Sequence, residues 1–127
     1  IDKAAGISVN QSHLYDADDV VAGNISFKNG VVFNGIWCFN VAKENEKDFC
    51  EIVGSEGSIS FSVFGEQQIT LVKNDLAEII SFTPPRHVQQ PLIEKVVEYF
   101  LDEGPNPSSA EDGAEVMRLL DQFTANK

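Results

Sequence analysis

The stretch "VVAGNISFKNGVVFNGIWCFN", residues 20–40, carries the clearest turn signal in the chain. Asn29-Gly30 separates two runs rich in Val, Ile, Phe and Trp, and this dipeptide is typical of a tight β-hairpin. The stretch therefore predicts two antiparallel strands joined by a two-residue loop. The register of this hairpin decides which side chains share a face, because successive residues of a strand point to opposite faces.

A two-residue loop divides the side chains of this hairpin between an apolar face and a mixed face. We expect the apolar face to lie under the helices of the domain, since burial removes apolar surface from water. The apolar face pairs Phe27 with Val32, Ile25 with Asn34, Gly23 with Ile36, and Val21 with Cys38. The mixed face pairs Ser26 with Phe33, Asn24 with Gly35, and Ala22 with Trp37, and Phe39 follows.

A second stretch, "EIVGSEGSISF" at residues 51–61, has the glycines of a phosphate-binding loop but not its context. Such a loop leads into a helix whose N-terminus faces the anion, usually with a nearby Lys. Here a strand follows, and the carboxylate of Glu56 would repel an anion. The stretch therefore predicts a hairpin with Val53 opposite Ser58, Ile52 opposite Ile59, Cys50 opposite Phe61, and Glu51 opposite Ser60.

Aromatic side chains among small polar ones are typical of a protein interface. Leaving Phe33, Trp37 and Phe39 in water would cost about 1.5–3 kcal/mol each. A second copy of the chain across a twofold axis is the simplest cover, and a loop or helix of the same chain is the alternative. The sequence thus predicts a homo-oligomer through the open sheet face, with candidate interface residues Phe33, Trp37, Phe39, Asn24, Ser26, Glu51 and Ser60.

The order of the predicted elements indicates an α+β fold. Strands are expected near Ala4–Asn10, Val20–Phe27, Val31–Asn40, Phe49–Val53, Ser58–Val63, Gln68–Lys73 and Ile79–Thr83. Pro84-Pro85 then ends the sheet. One helix follows up to Gly104, and a second begins at Ser108, which forms a capping-box pattern with Glu111. We expect one domain over residues 1–127: an open, mostly antiparallel sheet with both helices packed on one face and the other face available for oligomerisation.

The composition excludes several classes of protein. Twenty acidic against nine basic residues give a net charge of −11, which argues against binding to nucleic acid or to anionic membranes. No apolar run approaches the ~18 residues of a membrane helix. The two cysteines, Cys38 and Cys50, are expected as buried free thiols in a reducing cytoplasm, although one disulfide stays open as an alternative.

No catalytic, cofactor or metal motif is recognisable in the sequence. His13 stands beside several Asp residues in "NQSHLYDADD", where a strand-entry loop with Asx turns is the favoured interpretation over a metal site. His87 follows "TPPR" and either caps the next helix or lines a cleft at the end of the sheet. His87 is the one candidate for the cleft.

Two segments together resemble the C-terminal domain of the glucose–fructose oxidoreductase / inositol dehydrogenase (Gfo/Idh/MocA) family. The first is "DDVVAGNISFKNGVVFNGIWCFN…DFCEIVGSEGSISF", residues 18–61. It is similar to the family's Asn-Gly hairpin and its following glycine-containing element. The second is "HVQQPLIEKVVEYFLDEGPNPSSAEDGAEVMRLLDQF", residues 87–123, which is similar to the family's closing pair of helices.

The resemblance implies an NAD(P)-dependent enzyme that transfers hydride to or from a sugar, inositol or related polyol. It implies an N-terminal Rossmann domain for NAD or NADP, with a second domain that walls the substrate cleft and often packs on another subunit. The family's catalytic Lys and His have no match here, so neither role is carried over to His13 or His87. We expect this chain to be the C-terminal part of such an enzyme, inactive by itself. The alternative is a stand-alone module that binds a ligand or protein through the aromatic sheet face.

Overall fold

A computed structural model describes residues 1–125 and divides the chain into two compact units. Unit 1 comprises residues 1–44 together with the segment from residue 108 onward, and unit 2 comprises Asn45–Pro107. The elements in chain order are β1 (Lys3–Val9), β2 (Val20–Ser26), β3 (Val32–Cys38), a short 3-10 turn (Lys43–Asn45), β4 (Cys50–Gly54), β5 (Gly57–Phe61), β6 (Gln68–Lys73), β7 (Leu76–Ser81), α1 (Gln90–Phe100) and α2 (Ala110–Thr124).

The predicted α+β class with open antiparallel sheets is confirmed. All strand pairs are antiparallel, as expected for strands joined by short hairpin loops. The strands form two sheets where the sequence predicted one: β1-β2-β3 in unit 1 and β4-β5-β6-β7 in unit 2.

The loop between β2 and β3 has three residues, so the predicted two-residue loop is wrong. The Phe27 amide donates to the Val31 carbonyl at 2.8 Å, and the Gly30 amide donates to the Phe27 carbonyl at 2.9 Å. Only Gly30 takes a positive φ in this loop, at 86°, whereas a tight two-residue turn of the Asn-Gly type needs two such residues. The Asn29 side chain instead accepts a hydrogen bond from the Val31 amide at 3.2 Å.

The extra loop residue shifts β3 by one position and turns its side chains to the opposite face. Ile25 pairs with Phe33, Gly23 with Gly35, and Val21 with Trp37. We name the face of the β1-β2-β3 sheet that carries these residues the helix face, because α2 packs there. The sequence predicted that the apolar face of the hairpin lies under the helices, and for β2 the contact of Gly23 with Phe123 of α2 agrees with this prediction. For β3 it is wrong, since Phe33 and Trp37 share the helix face.

Phe123 of α2 holds the helix on this sheet. Its side chain is 3% exposed and lies over Gly6 and Gly23, which are cross-strand partners in β1 and β2. A Cβ atom on Gly23 would lie 2.6 Å from the Phe123 ring, and one on Gly6 would lie 2.9 Å from the Phe123 Cα atom. Real Cβ atoms do not approach other atoms so closely. The two glycines therefore leave the only space in which this ring fits against β1 and β2.

The glycine row continues into β3 and receives a second ring. Gly35 pairs with Gly23, and a Cβ atom on Gly35 would lie 2.6 Å from the Trp37 ring. The centroids of the Trp37 and Phe123 rings are 6.2 Å apart, within the range of favourable aromatic pairs. We use "glycine row" below for Gly6, Gly23 and Gly35.

A capping box starts α2, one residue later than the sequence predicted. The Ser109 hydroxyl accepts from the Asp112 amide at 3.0 Å, and the Asp112 carboxylate accepts from the Ser109 amide at 3.2 Å. Ser108 with Glu111 has the same spacing, so the sequence contains two overlapping capping boxes and cannot decide between them. The Ser109 hydroxyl is also the main reason that the pKa of Asp112 is lowered.

Helix α1 ends in a left-handed residue, as predicted, but this residue is Asp102 and not Gly104. Asp102 has φ 58°, its amide donates to the Tyr99 carbonyl at 3.1 Å, and the Glu103 amide donates to the Glu98 carbonyl at 2.8 Å. These two bonds form a Schellman motif. Among the described residues of unit 2, no strand packs on α1, so packing of a helix on a sheet is seen for α2 alone.

The β4–β5 hairpin has the predicted register in every pair. Gly57 has φ 153°, and a Cβ atom there would lie 2.0 Å from the Val72 carbonyl oxygen, so this glycine permits β6 to approach. The Glu56 carboxylate forms an exposed ion pair with Lys73 at 2.7 Å. The glycines of residues 54–57 therefore serve a turn and a close strand contact, and the loop leads into a strand rather than a phosphate-facing helix.

The fit of Phe123 on the glycine row predicts opposite effects for two identical substitutions. Gly23→Ala is expected to destabilise the fold by about 1–3 kcal/mol, because the new methyl group overlaps the buried ring. Gly113→Ala in α2 adds a methyl group into open space and is expected to stabilise the fold by about 0.5–1 kcal/mol. Chemical denaturation measures both changes. Equal effects of the two substitutions would contradict this packing.

Candidate interaction surface

Within the described residues of unit 1, no helix packs on the face of the β1-β2-β3 sheet opposite α2, and we name this face the open face. Its side chains form four cross-strand rows, which follow from the observed register. From one end of the sheet to the other, the rows are Lys3–Ser26–Val32, Ala5–Asn24–Asn34, Ile7–Ala22–Ile36 and Val9–Val20–Cys38.

The open face is exposed, apolar and almost uncharged. Ile36 is 76% exposed and Ile7 is 64% exposed, although aliphatic side chains of this size are usually buried. Lys3, at one end, is the only charged side chain in the four rows. A contiguous neutral apolar face of this kind is typical of a surface that another protein covers.

Asn24 and Asn34 form a cross-strand pair inside this face. Two shallow depressions lie on either side of the pair. The first is lined by Ala5, Ile7, Ala22 and Ile36 and by the adjacent backbone, and the second by Lys3, Ser26 and Val32. The open face therefore has a polar centre with hollows beside it.

The predicted interface residues of unit 1 do not share one face. Asn24 and Ser26 lie on the open face, as predicted, whereas Phe33 and Trp37 lie on the helix face because of the register shift. Phe33 and Trp37 are 37% and 41% exposed. Trp37 contacts Phe123 of α2, whereas the ring that Phe33 contacts is that of Trp37. Phe39 follows β3, where its amide donates to the Asp19 carbonyl at 2.8 Å.

The two remaining candidates, Glu51 and Ser60, lie in unit 2. They are cross-strand partners, as the sequence predicted, and the row continues to Thr70 and Ile79. Their role in an interface stays a prediction. Cys50 lies on the other face of this sheet, opposite Phe61. The sequence predicted this face to be buried, whereas Ile52 on it is 59% exposed.

The two histidines take loop positions. The His13 amide donates to the Asn10 side chain at 2.8 Å, and His13 has φ 57°. This bond spans three residues and not the two of the predicted Asx turn. The His87 carbonyl accepts from the Gln90 amide at 3.0 Å at the start of α1, and its side chain is exposed. A role of the His87 side chain in a cleft stays a prediction.

Asp19 is a structural centre that the sequence did not single out. Its side chain is fully buried, and its carboxylate accepts from the amides of Gln11 at 2.8 Å and Ser12 at 2.9 Å. Its own amide donates to the Val9 carbonyl at 3.1 Å. Asp19 thereby joins the end of β1, the following loop and the start of β2. Three Asp residues stand close together here, and the sequence alone does not show which one is buried.

Hydrogen bonds lower the pKa of Asp19 to about 2, from an ordinary value of 3.8. The Ser12 hydroxyl makes the largest contribution, and burial opposes it less strongly. The backbone amides of Gln11 and Ser12 and the Asn40 side chain lower the pKa further. A carboxylate held ionised in this way suits a structural role and cannot serve as a general acid near neutral pH.

Within residues 1–125, no cluster of three or more His, Cys, Asp and Glu is arranged to hold a metal ion. Both cysteines are free thiols, in agreement with the first of the two predicted alternatives, and both are half-buried. Cys38 lies on the open face and not on the predicted buried face, because β3 is shifted. None of the helices in the described part of the chain has the length and apolar character needed to cross a membrane.

Comparison with known proteins assigns this arrangement to a family. The family described as "Oxidoreductase family, C-terminal alpha/beta domain", of the Gfo/Idh/MocA group, matches residues 3–126. The chain belongs to this family. The open antiparallel sheets and two helices of the chain agree with the alpha/beta domain that this family description names.

A relative named Oxidoreductase P35, from Formosa agariphila, is 50% identical over 103 residues. The match covers 81% of this chain but only 31% of the relative, so the chain spans about a third of that protein's length. No solved structure matches the chain.

The hydrogen bonds of Asp19 predict a defined acid sensitivity. Its pKa is depressed in the folded state, so its stabilising effect is complete above about pH 4 and is lost as the pH falls toward 2. Asp19→Asn is expected to lower the melting temperature by several degrees at pH 7 and to flatten the loss of stability between pH 4 and 2. Thermal unfolding across this pH range measures the effect. An unchanged acid profile in Asp19→Asn would contradict it, and Asp75→Asn in the exposed β6–β7 turn is the control.

Proposed function

We propose that this domain is the substrate-cleft and oligomerisation domain of an NAD(P)-dependent oxidoreductase that acts on a sugar, inositol or related polyol. Membership of the family over residues 3–126 is the observation that carries the proposal. The identity of 50% to a protein named as an oxidoreductase supports it.

The cofactor belongs to a different part of such an enzyme. NAD or NADP supplies hydride transfer when it is bound, and a dinucleotide site uses a glycine-rich loop that opens a helix. The described residues do not fit this group: the loop at residues 54–57 joins two strands, and its Glu56 pairs with Lys73. The domain by itself is therefore inactive, and its part in the reaction is to form one wall of the cleft.

Oligomerisation is assigned to the open face, with a corrected set of residues. The sequence-based assignment placed Phe33, Trp37 and Phe39 there, and the register instead gives Ile7, Ile36 and Val32 together with Asn24 and Ser26. Removal of these aliphatic side chains from water favours association by about 25 cal/mol per Å² of buried apolar surface. The alternative, a stand-alone binding module, depended on aromatic side chains in the open face. The observed register places Phe33 and Trp37 on the helix face, so this alternative loses that support.

The assignment of the cofactor to another domain is tested by titration. The full-length protein is expected to bind NADH or NADPH, with quenching of protein fluorescence, and to oxidise or reduce members of a panel of sugars and polyols. Residues 1–127 alone are expected to show neither activity. Cofactor binding by residues 1–127, or its absence from the full-length protein, would overturn the assignment.

The oligomer interface is tested by one charge on the open face. Ile36→Asp in the full-length protein is expected to shift the oligomer toward monomer in sedimentation velocity, because a carboxylate would be buried without a partner. Leu14→Asp is the matched control, since Leu14 is 81% exposed and lies in the β1–β2 loop. If Ile36→Asp and Leu14→Asp sediment alike, the open face is not the interface.

A further inference from the structure

We infer that Asn24 and Asn34 set the register of self-association, because their side-chain amides pair with those of a second copy across the open face. This inference rests on the proposed oligomerisation role of that face. It concerns how two copies recognise each other, which the apolar side chains alone do not determine.

The two amides have unused hydrogen-bonding capacity. Asn24 and Asn34 are neighbours across β2 and β3, and both are exposed. Within the described residues, neither side chain makes a hydrogen bond. Each amide offers two donors and an acceptor oxygen, all of which bind water in a single copy. Covering the open face removes this water, and an amide left unpaired would then oppose association.

A second copy is the partner whose chemistry matches. An Asn amide is its own complement, because its N–H groups can donate to the oxygen of another Asn while its oxygen accepts in return. An isologous interface brings the same patch of both copies together, and we place its twofold axis at the Asn pair, so that each pair faces the pair of the other copy. Face-to-face sheets pack about 10 Å apart, a distance that two opposing Asn side chains can bridge.

The shape of the open face also favours a second copy of the chain as the partner. Small side chains, Ala5 and Ala22, line the depression on one side of the Asn pair, and the exposed Ile7 and Ile36 stand at its margins. An aliphatic side chain of one copy fills a hollow of this kind in the other copy. The face therefore offers both the projecting groups and the hollows that a self-complementary contact needs.

Charge also favours a second copy over a foreign partner. The chain has a net charge of −11, so most of its surface repels another copy. The four rows of the open face contain one charged side chain, Lys3, and no acidic one. The Asp2 carboxylate, which accepts from the Ser26 hydroxyl at 3.5 Å, lies at the Lys3 end of the face, so the rows beyond it can meet those of a second copy without like charges facing each other. A basic partner that binds acidic proteins through charge has no acidic side chain to bind in these four rows.

The inference is tested with two double variants of the full-length protein. Asn24→Asp with Asn34→Asp places four carboxylates at the contact, and Asn24→Lys with Asn34→Lys places four ammonium groups there. Each variant alone is expected to self-associate at least about tenfold more weakly than the unchanged protein. An equimolar mixture is expected to form heterodimers in sedimentation velocity, which also shows that both variants are folded. Asn29→Asp with Asn74→Asp adds the same charge at two turns and is expected to associate normally.

The outcomes separate this inference from the proposed interface. If Ile36→Asp dissociates the oligomer but the two Asn variants associate normally, the open face is the interface and the Asn pair does not set its register. If the mixture yields no heterodimer although each variant dissociates, amide pairing between copies is likewise overturned. If the unchanged protein is a monomer, or Ile36→Asp has no effect, the open face is not a contact between copies and both proposals fail.

Discussion

The packing of Phe123 against the glycine row is the contact on which the fold of unit 1 depends. Gly6 and Gly23 leave a space across β1 and β2 that a Cβ atom at either position would close, and the Phe123 ring fills it. This contact places α2 on one face of the sheet. Because α2 lies on that face, it does not cover the opposite face of the sheet. The side chains of the opposite face are therefore exposed. The position of one ring thus decides which surface is available for association.

Sequence reasoning succeeded where loop length and side-chain pattern agreed. For β4 and β5, the predicted turn at residues 54–57 gives a register that gathers Cys50, Ile52, Ile59 and Phe61 on one face, and that register is observed. For β2 and β3, both loop lengths gave plausible faces, because large apolar side chains alternate on both faces of β3. The Asn-Gly dipeptide correctly predicted a hairpin between β2 and β3, but it did not show whether the loop has two residues or three. Two successive left-handed residues occur instead at Asn74 and Asp75, where the sequence predicted no hairpin turn.

The candidate surface was therefore predicted only in part. The sequence placed Asn24 and Ser26 on an open face correctly, and self-association through that face stays a proposal. It could not find the roles of Asp19 or of the glycine row. A buried carboxylate and a ring seated on glycines are tertiary contacts, and neither leaves a periodic pattern along the chain. The family resemblance supplied what local physics did not, namely the proposal that a separate domain binds the cofactor.

A double-mutant cycle between Gly23 and Phe123 tests the central contact most directly. If the ring excludes a side chain from position 23, Gly23→Ala is costly in the unchanged protein and close to neutral once Phe123→Ala has emptied the site. Phe123→Ala alone is expected to cost about 3–5 kcal/mol. Denaturation of the four proteins should then give a coupling energy of about 1–3 kcal/mol. Additive effects of the two substitutions would show that Phe123 does not lie against Gly23 and would contradict this account of the fold.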